Sequence, residues 1–254
     1  MGKIIAFANQ KGGVGKTTTC VSLCASLTEL GKRVLLCDMD PQGNATSGVG
    51  VDKNRDTANI YNVLIDGINL EEAITKTPYG YILPSNKILS GAGIELVMMQ
   101  GREFVLRNVL EKVRDEYDYI LIDCPPSLEM LTLNSLCASD GVLIPVQCEY
   151  FALEGLTDLM STIRMIKKSL NPKLEIEGVL LTMYDHRTNF SSQVASEIKK
   201  YFTNKIYNVA IPRNVRIAEA PSHGVPVMQY DRASRGSQAY IELAKEFVKR
   251  NPGI

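Results

Sequence analysis

A chain of 254 residues, 45% hydrophobic and 22% charged, has the composition of a folded globular protein with a full core. Its 28 basic residues balance its 28 acidic ones, so no whole-molecule field draws it to nucleic acid, and such binding needs a local patch. No run of eighteen apolar residues is present to span a membrane, and the chain enters its first apolar run without a leader; a cytoplasmic protein is expected.

The first predicted element is a strand over 3–9, followed by Lys11-Gly12-Gly13-Val14-Gly15-Lys16-Thr17-Thr18 and a helix over 16–30. Strand, glycine-rich loop and helix in that order form a phosphate cradle. Glycine lets backbone N–H groups curl around phosphate oxygens, and the helix presents its positive end to the same point. Lys16 can reach the β/γ-phosphates and the Thr17 hydroxyl can ligate Mg²⁺. The usual pattern opens with glycine; here that position is Gln10, and a second lysine, Lys11, begins the loop.

A second strand over 33–38 runs into Asp38-Met39-Asp40-Pro41-Gln42-Gly43. A carboxylate at a strand end can hold a metal-bound water or orient an attacking one; equally, Asp40-Pro41 can simply start a turn. Helices over 60–64 and 71–75, a strand over 81–84 and a helix over 102–116 follow. The strand over 119–123 ends in Asp123-Cys124-Pro125-Pro126-Ser127, an apolar strand closing on a carboxylate that can support Mg²⁺, then a stiff segment suited to sensing a γ-phosphate.

A helix over 131–138, a strand over 141–146, a helix over 153–169, strands over 177–182 and 207–211, and helices over 192–202 and 234–249 complete the chain. Strands rich in Ile, Val and Leu without alternation suit a sheet buried on both faces, so a doubly wound, mostly parallel α/β fold in one domain, 1–254, is predicted. The six cysteines form no Cys-x-x-Cys pair and read as buried free thiols; Cys20 and Cys24 share a helix face. His186 and His223 stand alone, and no catalytic glutamate follows Asp123, so turnover should be slow and await a partner.

Five blocks in order resemble the ParA/MinD family of deviant phosphate-loop ATPases, and most closely its Soj-type partitioning branch. They are the loop at 11–18, the segments at 38–48 and 123–127, the stretch at 145–155 beginning Pro145-Val146-Gln147, and the stretch at 211–224 beginning Ile211-Pro212-Arg213-Asn214. The resemblance implies an ATP-sandwich homodimer, with the preference for ATP resting on it. Lys11 would cross to the partner subunit's phosphates. Lys16 and the loop backbone from Gly12 to Thr18 would bind phosphates within the subunit. Thr17 would ligate Mg²⁺, Asp38 and Asp123 would support the metal, and Asp40 would position the attacking water. Thr182, Met183, Pro212 and Asn214 fall where the family forms its adenine pocket.

Between 187 and 216 the chain carries Arg187, Lys199, Lys200, Lys205, Arg213 and Arg216 against only Glu197. That run is either a solvated face or a phosphate-contacting patch. The resemblance favours non-specific double-stranded DNA, with Arg187 and Arg216 at the matching positions and Lys199 and Lys200 beside them. It also implies a ParB-like centromere-binding partner that stimulates hydrolysis, association with the nucleoid, and influence on a replication initiator. A MinD-like membrane switch is the rival; the mildly amphipathic end (Ile241, Ala244, Val248) reads instead as a final helix packed on the core, so no membrane partner is expected. A metabolic ATPase or ligase of the same architecture is a third reading.

Overall fold

The computed structural model describes residues 1–252 apart from 56, 150, 151 and 186; His186 and the Tyr150-Phe151 pair of the 145–155 block lie outside the described residues. Seven strands form one sheet in the order β3-β4-β2-β5-β1-β6-β7: β1 Lys3–Phe7, β2 Val34–Asp38, β3 Thr75–Thr77, β4 Gly80–Leu83, β5 Tyr119–Asp123, β6 Gly141–Gln147 and β7 Glu175–Thr182. Every pairing is parallel except β3 against β4.

Side chains alternate across the sheet, and both sides are apolar. Ile4, Ala6, Leu35, Ile120 and Ile122 enter one layer; Ile5, Phe7, Leu36, Tyr119 and Leu121 enter the other. The second layer is closed by α1 (Lys16–Glu29) and, near the end of the chain, α11 (Arg235–Arg250), through Leu23, Leu27, Tyr240, Leu243 and Phe247. The first is closed by α4 (Leu89–Val97), α5 (Val105–Leu110), α6 (Met130–Ala138) and α7 (Ala152–Ser169). Short helices α2 (Asn44–Gly48), α3 (Leu70–Ala73), α9 (Val215–Glu219) and α10 (Val227–Tyr230), with the longer α8 (Asn189–Phe202), make up the connections. The doubly wound, mostly parallel architecture is therefore the one the sequence pointed to.

Four predicted elements differ. The stretch 207–211 is no strand: Tyr207 and Ile211 donate their N–H groups to Val179 (3.0 Å) and Leu181 (2.8 Å) of β7. Between them, the Glu246 carboxylate of α11 takes the N–H groups of Asn208 and Val209, which a ladder would need. Gly178 leaves room for the Tyr207 ring, since a Cβ there would meet it at 2.5 Å. The helix over 102–116 shrinks to α5 plus a 3₁₀ turn at Arg114–Glu116. The helix over 71–75 ends at Ala73 and the chain turns into β3. The helix at 60–64 is a wide π turn, Asn62–Asp66. The unpredicted α4 contains Gly91 and Gly93, poor helix formers, and is held by Leu89, Ala92 and Leu96, buried at helical spacing.

Phe247 is fully buried and meets Tyr119 edge-on at 5.1 Å between ring centres. Phe247→Ala should lower unfolding stability by about 3–5 kcal/mol. Urea unfolding would register this as a lower midpoint; an unchanged midpoint would show that α11 does not seal this layer.

Candidate functional site

At the carboxyl edge of the sheet, β1 feeds the glycine-rich loop directly into α1. Gly13 (φ 74°) and Gly15 (φ 86°) sit in the left-handed region, which glycine enters without strain. A Cβ added at Gly12 or Gly13 would meet nothing within 4 Å, so the loop faces open space. No side chain caps α1 and no acidic residue occupies its first turn, leaving backbone N–H groups and the helix dipole free for an anion. The loop is braced from β7: the Thr182 hydroxyl donates to the Val14 carbonyl at 2.8 Å.

A cavity of about 560 Å³ opens over this loop, a volume that suits a nucleotide. Gly12, Gly13, Gly15, Lys16, Thr17, Thr18 and Asp40 line it together with Thr182, Met183, Pro212 and Asn214. The residues expected to hold phosphates and those expected to hold the base thus share one cleft. Tyr184 and Pro212 form a bridge that keeps the end of β7 beside the 211–214 segment. Lys11 and Val14 are not among the lining residues: Val14 turns into the core, and the Lys11 ammonium pairs with Glu149.

Beneath the loop lies a buried charged cluster. Asp38 and Asp123 are paired in register at the ends of β2 and β5, and both are fully buried. Asp38 is pinned, accepting from the Thr46 hydroxyl (2.7 Å), the Thr46 N–H (2.8 Å) and the Asp40 N–H (3.1 Å). Neither carboxylate oxygen of Asp123 closes a hydrogen bond; the Thr17 hydroxyl lies beside them, near enough to favour the ionised form without reaching bonding geometry. Burial first, then the Asp38 charge, drives the Asp123 carboxyl well above the usual carboxylate range. Burial also holds Lys16 below the usual lysine range, against the pull of Asp123, Cys124 and Asp40. Its ammonium donates to the Lys11 carbonyl at 3.1 Å.

A fully buried carboxylate lacking a partner, beside a hydroxyl and under a free helix N-terminus, fits a hard cation shared with phosphate oxygens. Among the described residues no three His, Cys, Asp or Glu side chains form a metal cluster, so such a cation would depend on the phosphates for much of its ligation.

Asp40 combines both possibilities left open by the sequence. Its Oδ1 accepts from the Gln42 N–H at 2.9 Å, a turn-forming bond, while the side chain faces the cavity.

Several residues here escaped sequence reading. Ser85, two residues past the end of β4, donates its hydroxyl to the Asp40 carbonyl (2.8 Å) and its N–H to the Thr46 hydroxyl (2.9 Å), closing a ring with Asp38. Tyr240 of α11 reaches the cleft, its hydroxyl 3.2 Å from that of Thr19. Asn9 donates to the Pro145 carbonyl (2.8 Å) and accepts from the Lys11 N–H (3.0 Å), tying the loop to β6. No local pattern marks these residues, because their partners, apart from the Lys11 N–H bonded to Asn9, are distant in the chain.

The basic residues are less isolated than their spacing implied. Arg187 pairs with Asp185 (2.8 Å), and Arg216 with both Glu219 (2.9 Å) and Asp231 (3.2 Å), acids outside the window counted from sequence. Lys200 pairs with Glu197 (2.6 Å), and Lys199 is exposed on the same helix. Arg187 and Arg216 remain 79% and 51% exposed, near the bridged segments at the end of β7. The six cysteines are free and buried, as expected. His223 stacks on Tyr230 at 4.8 Å between ring centres.

A family model described as an AAA domain matches residues 2–176. The sporulation initiation inhibitor protein Soj of Bacillus subtilis (strain 168) is 56% identical over 97% of this chain and 98% of its own length. The chromosome partitioning protein ParA of Myxococcus xanthus is 50% identical over 99% of this chain and 89% of its own. A crystal structure of cobyrinic acid a,c-diamide synthase from Mycobacterium smegmatis, with bound ADP and magnesium, superposes with a TM-score of 0.86 at 38% identity, covering 98% of this chain and 95% of that one.

The carboxylate pair has a pH signature in the ligand-free protein. Burial, opposed by the bonds from Thr46 and Asp40, raises the Asp38 carboxyl from 3.8 to about 6. The fold therefore binds this proton more tightly than the unfolded chain. The resulting stability is complete below about pH 4 and lost as pH rises through about 6, a loss of about 3 kcal/mol. Asp38→Asn has no proton to release. Between pH 4 and 7 the wild type should fall relative to this variant in chemical unfolding; parallel profiles would remove Asp38 as the source.

Proposed function

The chain belongs to the Soj/ParA family of chromosome-partitioning ATPases, and from that premise we propose that it is an ATP-driven switch. It binds ATP with Mg²⁺ and pairs with a second copy across the phosphate loop. In that state it holds double-stranded DNA without sequence preference. A ParB-like centromere-binding partner stimulates hydrolysis and releases it, and repeated cycles position chromosome or plasmid origins. The whole chain, 1–254, acts as one ATPase unit in the cytoplasm, on the nucleoid. The observation that carries this most strongly is the unpartnered Asp123 carboxylate buried beneath an uncapped α1.

In this proposal the backbone from Gly12 to Thr18 cradles the phosphates, with Lys16 supplying positive charge from below. Magnesium, when bound, neutralises charge on the β- and γ-phosphates. Thr17 ligates it, and Asp38 and Asp123 hold its surroundings. Asp40 orients the attacking water, its backbone fixed by Ser85. Thr182, Met183, Pro212 and Asn214 receive the base. Lys11 reaches the phosphates of the partner subunit, which makes association sensitive to nucleotide. No glutamate or histidine base lies against the cleft among its lining residues, which supports slow turnover that a partner accelerates.

DNA binding is assigned to Arg187 and Arg216, with Lys199 and Lys200 behind them. Because the arginines are paired with acids, each phosphate contact replaces an existing ion pair, and single-copy affinity should be weak. Two patches on a dimer act together, so DNA affinity rises steeply on pairing. The apolar face of α11 is buried through Leu243, Ala244 and Phe247, which weighs against α11 as a membrane anchor. Influence on a replication initiator is the outermost part of the proposal. The likeness to the diamide synthase, at 38% identity, is weaker than that to Soj at 56%.

The deciding experiment is DNA retention with ATP, ADP or no nucleotide across a salt series. Retention only with ATP, on any sequence and weakening with salt, is expected. Arg187→Ala combined with Arg216→Ala should lose DNA, lower the salt slope by about one per phosphate contact removed, and keep the ATP dimer. Equal retention in every nucleotide state would overturn the switch, and full retention by the double variant would move the patch elsewhere.

Asp40→Ala should still bind ATP and dimerise, yet hydrolyse at least about 100-fold more slowly. Phosphate-release assays beside sizing measurements check both; near-normal turnover would take Asp40 out of the mechanism.

A further inference from the structure

Lys11 is the one lysine of the loop that does not face the cleft. Its ammonium forms an ion pair with Glu149, just past the end of β6, and the two side chains are 38% and 35% exposed. The backbone on both sides is held. The Lys11 N–H donates to Asn9 Oδ1 (3.0 Å), and its carbonyl accepts from Lys16 Nζ (3.1 Å). Asn9 donates to the Pro145 carbonyl within β6 (2.8 Å), and the Glu149 N–H closes a tight turn onto the Gln147 carbonyl (2.9 Å). The two loops are therefore fixed relative to each other. Lys11 can leave Glu149 by side-chain rotation alone, without rebuilding the phosphate loop.

We propose that Glu149 is a positioning residue that holds Lys11 away from the phosphates of a second copy, so that self-association requires this pair to break in each subunit. The inference rests on the ATP-dimer reading above and adds a threshold to it. Lys11 must exchange one carboxylate for a partner's phosphate group. The more anionic triphosphate competes for it better than a diphosphate does, so the pair sharpens the difference between ATP and ADP.

A symmetric dimer makes this exchange twice, so the fraction of free Lys11 enters the dissociation constant squared. If the pair favours the held state about fourfold, the scale of a partly exposed ion pair, about one fifth of Lys11 is free and removing the pair tightens the dimer roughly 25-fold.

The test uses full-length Asp40→Ala protein with saturating Mg-ATP, so that hydrolysis does not drain the dimer, and reads the dimer dissociation constant by sedimentation velocity. Glu149→Gln and Glu149→Ala should each lower it by roughly 25-fold. Glu149→Asp, which keeps the charge, should return it towards the parent value, and all should remain monomeric with ADP. In a Lys11→Ala background Glu149→Gln should give no gain. If the parent dimerises but the Glu149 variants associate equally or more weakly, the restraint is overturned while the dimer reading stands. If the parent stays monomeric with ATP at every concentration, both fall together. Should Glu149→Gln fail to fold, Glu149→Ala and Glu149→Asp decide the matter.

Discussion

Two carboxylates buried side by side dominate this molecule. Asp38 and Asp123 end neighbouring parallel strands in register, so the sheet itself forces their proximity. Burying one charge is costly and burying two like charges together more so, unless something positive joins them. The chain resolves half of the problem internally: Thr46 and the Asp40 N–H satisfy Asp38, and Ser85 locks Thr46 in place. It leaves Asp123 unresolved beside Lys16 and Thr17, beneath a helix end bare of side-chain caps. A proton relieves it, through the raised affinity of the Asp123 carboxyl; a ligand carrying both cation and anion, which the phosphate loop is shaped to receive, relieves it with the charge kept. Stability and occupancy are thereby linked at the centre of the sheet.

Much of this was legible in the sequence because its determinants are local. A strand, a loop needing positive φ at Gly13 and Gly15, and a helix beginning Lys16-Thr17 lie within one short stretch. Asp38 and Asp123 each close a continuous apolar run, so their place at strand ends could be read directly. Even Thr182 and Asn214, far apart in the chain, were grouped through a family likeness, and both line the cleft.

What escaped was tertiary. The 207–211 stretch has a strand's composition, but Glu246 captures the N–H groups a ladder would use. α4 contains glycines that argue against a helix, and its buried Leu89, Ala92 and Leu96 outweigh them. The basic run looked nearly unopposed in a window of sequence, whereas Asp185 and Asp231 approach its arginines from outside that window. The contacts of Ser85 with Asp40 and of Glu149 with Lys11 had no signature, because each joins residues brought near only by folding. Local chemistry pointed to phosphate; folding decided which neighbours restrain the groups that meet it.

The six buried thiols bear on how the folded chain can be chemically modified. Burial pushes Cys24 and Cys124 up to about 12 and Cys137 and Cys148 up to about 11, and raises Cys20 and Cys37 as well. Oxidants and alkylating agents attack thiolates, and the folded chain offers scarcely any. Modification therefore has to wait for the structure to open, at a pace set by local unfolding rather than by the reagent. Labelling of these thiols therefore reports opening of the fold rather than the chemistry of its surface.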